Sequence, residues 1–343
     1  MKRLLCILLL CAILFSGCSQ ITVPVLDQQQ QYNATFLDLF DTVTTIVGKA
    51  NSEAEFSEKT QTIHDELLYY HQLFDIYHSY DGINNLKTVN ASAGKSPIKV
   101  DQIIIDLLLD CKRYYSETDG KVNAAMGSVL QLWHEARNDS IDDPMNAYLP
   151  EKEALLQAAQ HTNFDDVIID EAACTVYISD PALQLDVGAI AKGWATQRVA
   201  NTAPKGLLIS VGGNVCATGA KDNRGTPWVV GIQNPDGGDY LHTIYVKSGC
   251  VVTSGDYQRY FVVDGIPYHH IIDPVTLQPG TYWRSVTIIC EDSGLADALS
   301  TALFLIPQSQ GQALLDKFGA KAMWVDKDGT ITYSPGFESI IKS

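Results

Sequence analysis

Two rhythms of apolar and polar residues alternate along this chain, and they mark out its elements. Apolar positions recur every three to four residues over Ser52–Leu73, through Ile63, Leu67 and Leu68 towards Phe74, which predicts a helix. The same spacing over Val100–Ser116, with Ile103, Ile104, Leu107, Leu108 and Cys111 on one face and Asp101 as cap, predicts a second. Weaker helical patterns cover Val122–Arg137, Pro150–His161 and Ala189–Ala200, and two more cover Ala296–Leu305 and Gln308–Phe318. Short β-branched runs bounded by turn residues predict strands instead. They fall at Asp38–Gly48, Val167–Asp170, Thr175–Ile178, Leu207–Val211, Trp228–Ile232, Thr243–Val246, Cys250–Ser254, Tyr260–Val263 and Val286–Ile289, with a closing pair at Lys321–Val325 and Thr330–Tyr333. Helices and antiparallel-looking strands mix without a regular strand–helix–strand alternation, so the expected fold class is α+β. No linker splits the chain beyond residue 32, which leaves a single domain over 32–343.

The first 31 residues follow neither rhythm. Lys2 and Arg3 precede an unbroken apolar run, Leu4–Phe15, and then Ser16-Gly17-Cys18. A basic start, an apolar run and small residues make a secretory leader over 1–17, since a bilayer span needs about 20 apolar residues. Ending in Gly-Cys, it resembles a bacterial lipoprotein signal, in which the Cys18 thiol is acylated and becomes the new N-terminus. Several acyl chains give durable attachment, because each buried methylene contributes about 0.8 kcal/mol. Residues 18–31, with Pro24 and the Gln28–Gln31 run, read as a tether. The expected location is thus the outer side of the cell membrane.

Composition narrows the functions available. Of 343 residues, 46% are hydrophobic and 19% charged, a globular balance. The net charge is −16, and losing Lys2 and Arg3 with the leader takes it to −18. So acidic a chain is not built for nucleic acid, and an anionic ligand would need a metal ion or backbone dipoles to hold it. Eight cysteines show no CxxC and no zinc-like spacing with histidine. Cys111, Cys174, Cys216, Cys250 and Cys290 sit in apolar surroundings and read as core residues, with a disulfide left open.

Four short constellations could carry chemistry. Leu185–Trp194 places Asp186 and Lys192 around Gly188, Ala189 and Ala191 at a strand-to-helix turn, which suits a phosphate at a helix N-terminus or, as simply, a tight turn. Leu207–Asn214 is an apolar strand ending in Gly212-Gly213-Asn214, an ordinary turn on local grounds. Thr253–Tyr257 is followed by His269-His270-Ile271-Ile272-Asp273-Pro274, where His270 could be a general base, a metal ligand or a satisfied strand residue. Gly294–Leu303 sets Asp297 and Thr301 on one helix face. That hard oxygen set suits Mg²⁺, although Asp297 could equally cap the helix.

Together and in this order, these segments and Phe40-Asp41-Thr42-Val43-Thr44 resemble the ApbE family of FAD:protein FMN transferases, over about residues 36–325. The resemblance implies a Mg²⁺-dependent enzyme that transfers FMN from FAD to a Thr or Ser hydroxyl of an acceptor flavoprotein, releasing AMP. Acceptors in such a family are exported flavoproteins, including subunits of membrane redox complexes. It places the metal on the Ala189 carbonyl, Asp297 and Thr301, with Ser300 close by. FAD contacts fall on Asp186, Lys192 and Ile272, and more loosely on Tyr77, Lys121, Val122 and Asn123. His270 matches the residue that activates the acceptor hydroxyl. The family more often has an Ala-Phe-Asp-like segment at Lys121-Val122-Asn123, and some members carry an acid or alanine at Ser300. A Mg²⁺-dependent FAD pyrophosphatase and a non-catalytic FAD-binding lipoprotein would share nearly the same residues.

Overall fold

A computed structural model describes residues 29–342, so the leader, Cys18 and nearly all of the tether lie outside the described residues. Along the chain run β1 (Gln30–Leu39), β2 (Thr42–Ala50), α1 (Glu53–Phe74), α2 (Leu86–Ala91), β3 (Ile98–Lys99), α3 (Gln102–Glu117), α4 (Gly127–Asp142) and α5 (Lys152–Ala158). Then come β4 (Val167–Asp170), β5 (Thr175–Ile178), α6 (Ala191–Thr202), β6 (Leu207–Val211), β7 (Asn214–Ala217), β8 (Trp228–Ile232) and β9 (His242–Val246). The last part comprises β10 (Gly249–Gly255), β11 (Tyr260–Val263), β12 (Ile266–His269), β13 (Trp283–Cys290), α7 (Ser293–Phe304), α8 (Gln308–Phe318), β14 (Lys321–Asp326) and β15 (Ile331–Tyr333). No helix among the described residues is long and apolar enough to cross a membrane.

The expected α+β class is what folds. Eight strands form one antiparallel sheet in the order β1-β2-β6-β7-β10-β13-β14-β15. The main core lies between one sheet face and α1, α3, α6 and α7, and a second core buries the other face under the β8–β9 hairpin and Phe337. A third core packs the β11–β12 hairpin on α4 through Trp133, Phe261 and Leu277. The caps are local. Ser52 Oγ accepts from Glu55 N, and Asp101 Oδ1 accepts from Ile103 N at 2.9 Å.

Three expectations shift. The strand foreseen at Asp38–Gly48 is a hairpin, because Phe40 and Asp41 adopt φ of 52° and 51° and turn the chain. Its first strand starts at Gln30, two residues inside the expected tether. The helix foreseen from Val122 begins at Gly127, since Asn123 Oδ1 instead accepts from Ala125 N and closes a turn.

Cys216, Cys250 and Cys290 stand side by side on β7, β10 and β13. All five cysteines among the described residues are free thiols.

Candidate active site

At one end of the large sheet, turns and helix ends converge on a cavity of about 510 Å³. Two tight hairpin turns form one rim. Gly212 and Gly213 (φ 56° and 91°) join β6 to β7, where a side chain at 212 would meet Thr42 at 2.7 Å. Phe40 and Asp41 hold the same left-handed conformation without being glycines, a strain of order 1–3 kcal/mol per residue. Gly212 N donates to Val43 O at 3.1 Å, which locks the two turns together.

The floor is the junction of α6 and α7. Asp292, not Asp297, caps α7, its Oδ1 accepting from Leu295 N at 2.8 Å. Asp297 is therefore released for another partner: its buried Oδ2 accepts from Gly193 N at 2.8 Å, with Lys192 Nζ at 3.8 Å. This approach requires glycine at 193, because a Cβ there would lie 2.3 Å from Ser293 O and 2.5 Å from Asp297 Cβ. Because Gly193 N–H turns to Asp297, it does not make the helical bond to the carbonyl four residues earlier. The Ala189 carbonyl accordingly accepts no hydrogen bond, and neither does Asp297 Oδ1 or Thr301 Oγ1. All three residues line the cavity. Burial raises the Asp297 carboxyl above its usual range, against the opposing pull of Lys192 and Gly193 N–H. Three unpartnered oxygens, one on a desolvated carboxylate, are the donor set a hard divalent cation completes. Among the described residues no cluster of three His, Cys, Asp or Glu side chains offers a rival metal site.

Ser300 does not join this set. It is fully buried and off the cavity wall, its Oγ donating to Asp297 O at 2.9 Å and accepting from Ser254 Oγ at 2.7 Å. Its place is in the support of α7, because the helix turns position 300 away from the face shared by Asp297 and Thr301.

The remaining expected residues all reach the cavity. Asp186 Oδ1 accepts from Gly188 N at 2.8 Å and fixes the turn into α6, while Lys192 Nζ also donates to Gly188 O at 3.2 Å. Lys121 pairs with Asp273 at 2.9 Å, Val122 is buried, and Asn123 spends its side chain on Thr162 O and Ala125 N. These three therefore shape the wall more than they offer free polar groups. Ile272 lies in the α4 core and pairs with Pro279. Tyr77 is exposed at the rim, its hydroxyl 2.9 Å from His134 Nδ1.

His270 faces the same space. Its Nδ1 lies 3.2 Å from Arg259 O, an atom that only accepts, so Nδ1 carries the proton and Nε2 keeps its lone pair. Burial, reinforced by Arg259 and Lys192, pushes the imidazole down to about 3. It is thus a neutral base at physiological pH.

His134, Arg137 and Arg259 also line the cavity and were missed in the sequence. Leu130, His134 and Arg137 share one α4 face, a polar interruption of a helical stripe that could have drawn notice. Burial lowers His134, with Arg137 and Arg259 adding to the effect and Asp186 opposing it.

Comparison with known proteins settles the kinship. The profile of the ApbE family matches residues 40–324. The chain belongs to the ApbE family. A curated relative, the FAD:protein FMN transferase of Treponema pallidum, is 35% identical over 271 residues, 73% of this chain and 73% of that protein. The protein of the same description from Klebsiella pneumoniae is 31% identical over 287 residues, covering 79% of this chain and 86% of its own. Among solved structures, the ApbE protein of Thermotoga maritima superposes with a TM-score of 0.80 at 30% identity, over 92% of this chain and all of that one. The ApbE profile spans the Phe40–Asp41 turn, both halves of the α6–α7 floor and His270.

Proposed function

We propose that this ApbE-family chain is an FAD:protein FMN transferase that moves FMN from FAD to a Thr or Ser hydroxyl of another exported protein. The observation that carries the reading is the α6–α7 floor. Asp297 draws off Gly193 N–H, leaving three oxygens bare in a cavity also lined by a neutral histidine with a free Nε2.

In this reading Asp297 Oδ1, Thr301 Oγ1 and the Ala189 carbonyl would hold Mg²⁺, which would supply positive charge to the FAD pyrophosphate. Lys192 and the N-terminus of α6 add fixed positive charge to the same phosphates. The rim around Tyr77 and the 121–123 turn receives the flavin nucleotide and excludes water from the floor. His270 Nε2 takes the proton of the acceptor hydroxyl as its oxygen attacks the phosphorus on the riboflavin side. The bond from that phosphorus to the bridging oxygen breaks, AMP leaves with that oxygen, and FMN remains on the acceptor as a phosphoester. The leader at 1–17 and a lipidated Cys18 would place the enzyme on the extracytoplasmic side of the cell membrane, where exported flavoproteins pass.

Incubating the purified chain with FAD, Mg²⁺ and a candidate acceptor tests this. Covalent flavin fluorescence on the acceptor in a denaturing gel, with AMP released one-for-one, supports it. FMN and AMP in solution without labelled acceptor would identify a pyrophosphatase, and intact bound FAD a binding protein. Metabolic labelling with palmitate, lost in Cys18→Ala, tests the anchor.

A further inference from the structure

Six arginines lie among the described residues, and they divide sharply. Arg113, Arg198, Arg224 and Arg284 each sit 2.7 to 3.2 Å from an aspartate. Arg137 and Arg259 have no carboxylate within ion-pair distance, and both line the cavity. The only side-chain bond from Arg137 is to Asn138 Oδ1 at 3.2 Å, and the Arg259 guanidinium makes none. In a chain with 40 acidic residues against 24 basic ones, two unneutralised guanidinium groups in one cavity need a reason. They also influence each other: burial and the neighbouring Arg259 charge lower Arg137 below its usual range. The groups facing them do not cancel this charge. His134 and Tyr77 are neutral hydrogen-bonding partners of each other, His270 is neutral, Asp186 lies 4.0 Å from His134, and Asp41 acts on Arg137 only from beyond ion-pair distance.

Position separates this pair from the phosphate floor. Asp297 is buried at the junction of α6 and α7 with Lys192 half-buried 3.8 Å away, whereas Arg259 is exposed and Arg137 half-buried on α4. Arg259 is also tied to His270, whose backbone N–H and Nδ1–H both meet the Arg259 carbonyl, at 3.1 and 3.2 Å. The Arg259 charge also acts on the His270 ring, so an anion gripped by these guanidiniums lies near whatever hydroxyl His270 receives. It would arrive from outside, on the acceptor.

We propose that Arg137 and Arg259 form an anion subsite at the cavity mouth that binds a carboxylate of the acceptor protein close to its flavin-accepting hydroxyl. The inference rests on the transferase reading. Guanidinium groups recognise carboxylates in two-pronged fashion, and a positive mouth on an otherwise acidic enzyme would steer an acidic acceptor segment to the one place it is useful.

The test uses the purified chain with FAD and Mg²⁺ and two short acceptor peptides, alike but for Asp or Asn beside the target Thr. The parent enzyme is expected to favour the Asp peptide by about tenfold or more in kcat/KM, chiefly through KM. In Arg137→Gln and Arg259→Gln that preference should fall towards unity, while FAD affinity, read by quenching of flavin fluorescence, changes less than threefold. Arg259→Glu should turn the preference towards a peptide carrying Lys at that position. A preference that survives both Gln variants would overturn the subsite. So would loss of FAD affinity matching the loss of transfer, which would assign the arginines to the nucleotide. A parent enzyme that releases FMN but labels no peptide and no whole acceptor would overturn the transferase reading itself, and this inference with it.

Discussion

Replacing Gly193 by alanine adds one methyl group and tests the floor of the site directly. Its Cβ would lie 2.3 Å from the Ser293 carbonyl and 2.5 Å from Asp297 Cβ, and neither is the tip of a flexible side chain. Ordinary contacts lie beyond about 3.4 Å, so α6 and α7 must part by roughly 1 Å. Alanine is the better helix former by about 1 kcal/mol, which favours the variant. Against that, overpacking costs about 1–3 kcal/mol. Stretching the Gly193 N–H bond to the buried Asp297 carboxylate costs about 1.5–3 kcal/mol more. The net expectation is a loss of roughly 1.5–5 kcal/mol of stability. The same displacement separates Asp297 from the Ala189 carbonyl, and a misplacement of about 1 Å can cost about 100-fold in rate. Urea unfolding would read the first effect and Mg²⁺-dependent FMN transfer the second. A Gly193→Ala protein with the parent's unfolding midpoint and the parent's transfer rate would refute the account of how Asp297 and Ala189 are held.

Asp297→Asn keeps an acceptor for Gly193 N–H but removes a charge that burial disfavours, so transfer should fall by about 100-fold or more while the metal-free protein unfolds no earlier than the parent. Equal transfer in the two proteins would remove Asp297 from the metal site. Ser300→Ala leaves Ser254 without its buried partner and should cost about 1–3 kcal/mol, yet retain Mg²⁺-dependent transfer; loss of Mg²⁺ dependence would return Ser300 to the ligand set. His270→Gln should slow transfer by about 10²- to 10⁴-fold with FAD still bound, and a rate equal to the parent's would end the general-base role. The His270 ring also makes a pH prediction for the ligand-free protein. Its folded value of about 3 lies below the unfolded 6.5, so as pH falls between those values the unfolded chain takes up a proton that the folded chain refuses, and stability drops. Denaturation midpoints measured from pH 7 to pH 4 should fall less steeply in His270→Gln, and identical slopes would contradict the shift.

Much of the fold was legible because its signals are local. Ser52 and Asp101 cap the helices that the apolar spacing foretold, and β6, β8 and β11 begin and end where their β-branched runs do. What escaped depended on turns and on partners far along the chain. The start of β1, Gln30 and Gln31, reads as tether until β2 pairs with it, and Phe40, a poor candidate for positive φ, hides the turn it makes with Asp41. Strands β7 and β12 are short and gain their identity from the strands beside them, β6 and β10 for the first and β11 for the second.

The site shows the same division. Eleven of the side chains that the family resemblance implied line one cavity in the structure, among them Asp297, Thr301, Ala189, Lys192 and His270. Sequence spacing set Asp297 and Thr301 on one helix face, since that follows from the period of a helix alone. It could not tell that Asp292 would take the capping role, that Ser300 would turn towards Ser254, or that Arg137 and Arg259, 122 positions apart, would face one cavity without a counter-ion. Those facts depend on which backbone lies within about 3 Å of which side chain, a matter of packing between segments. Composition and pattern determined an acidic α+β chain and the residue types at its site. Only the close approach of α6 to α7, allowed by the missing side chain at Gly193, decided which oxygens are left bare.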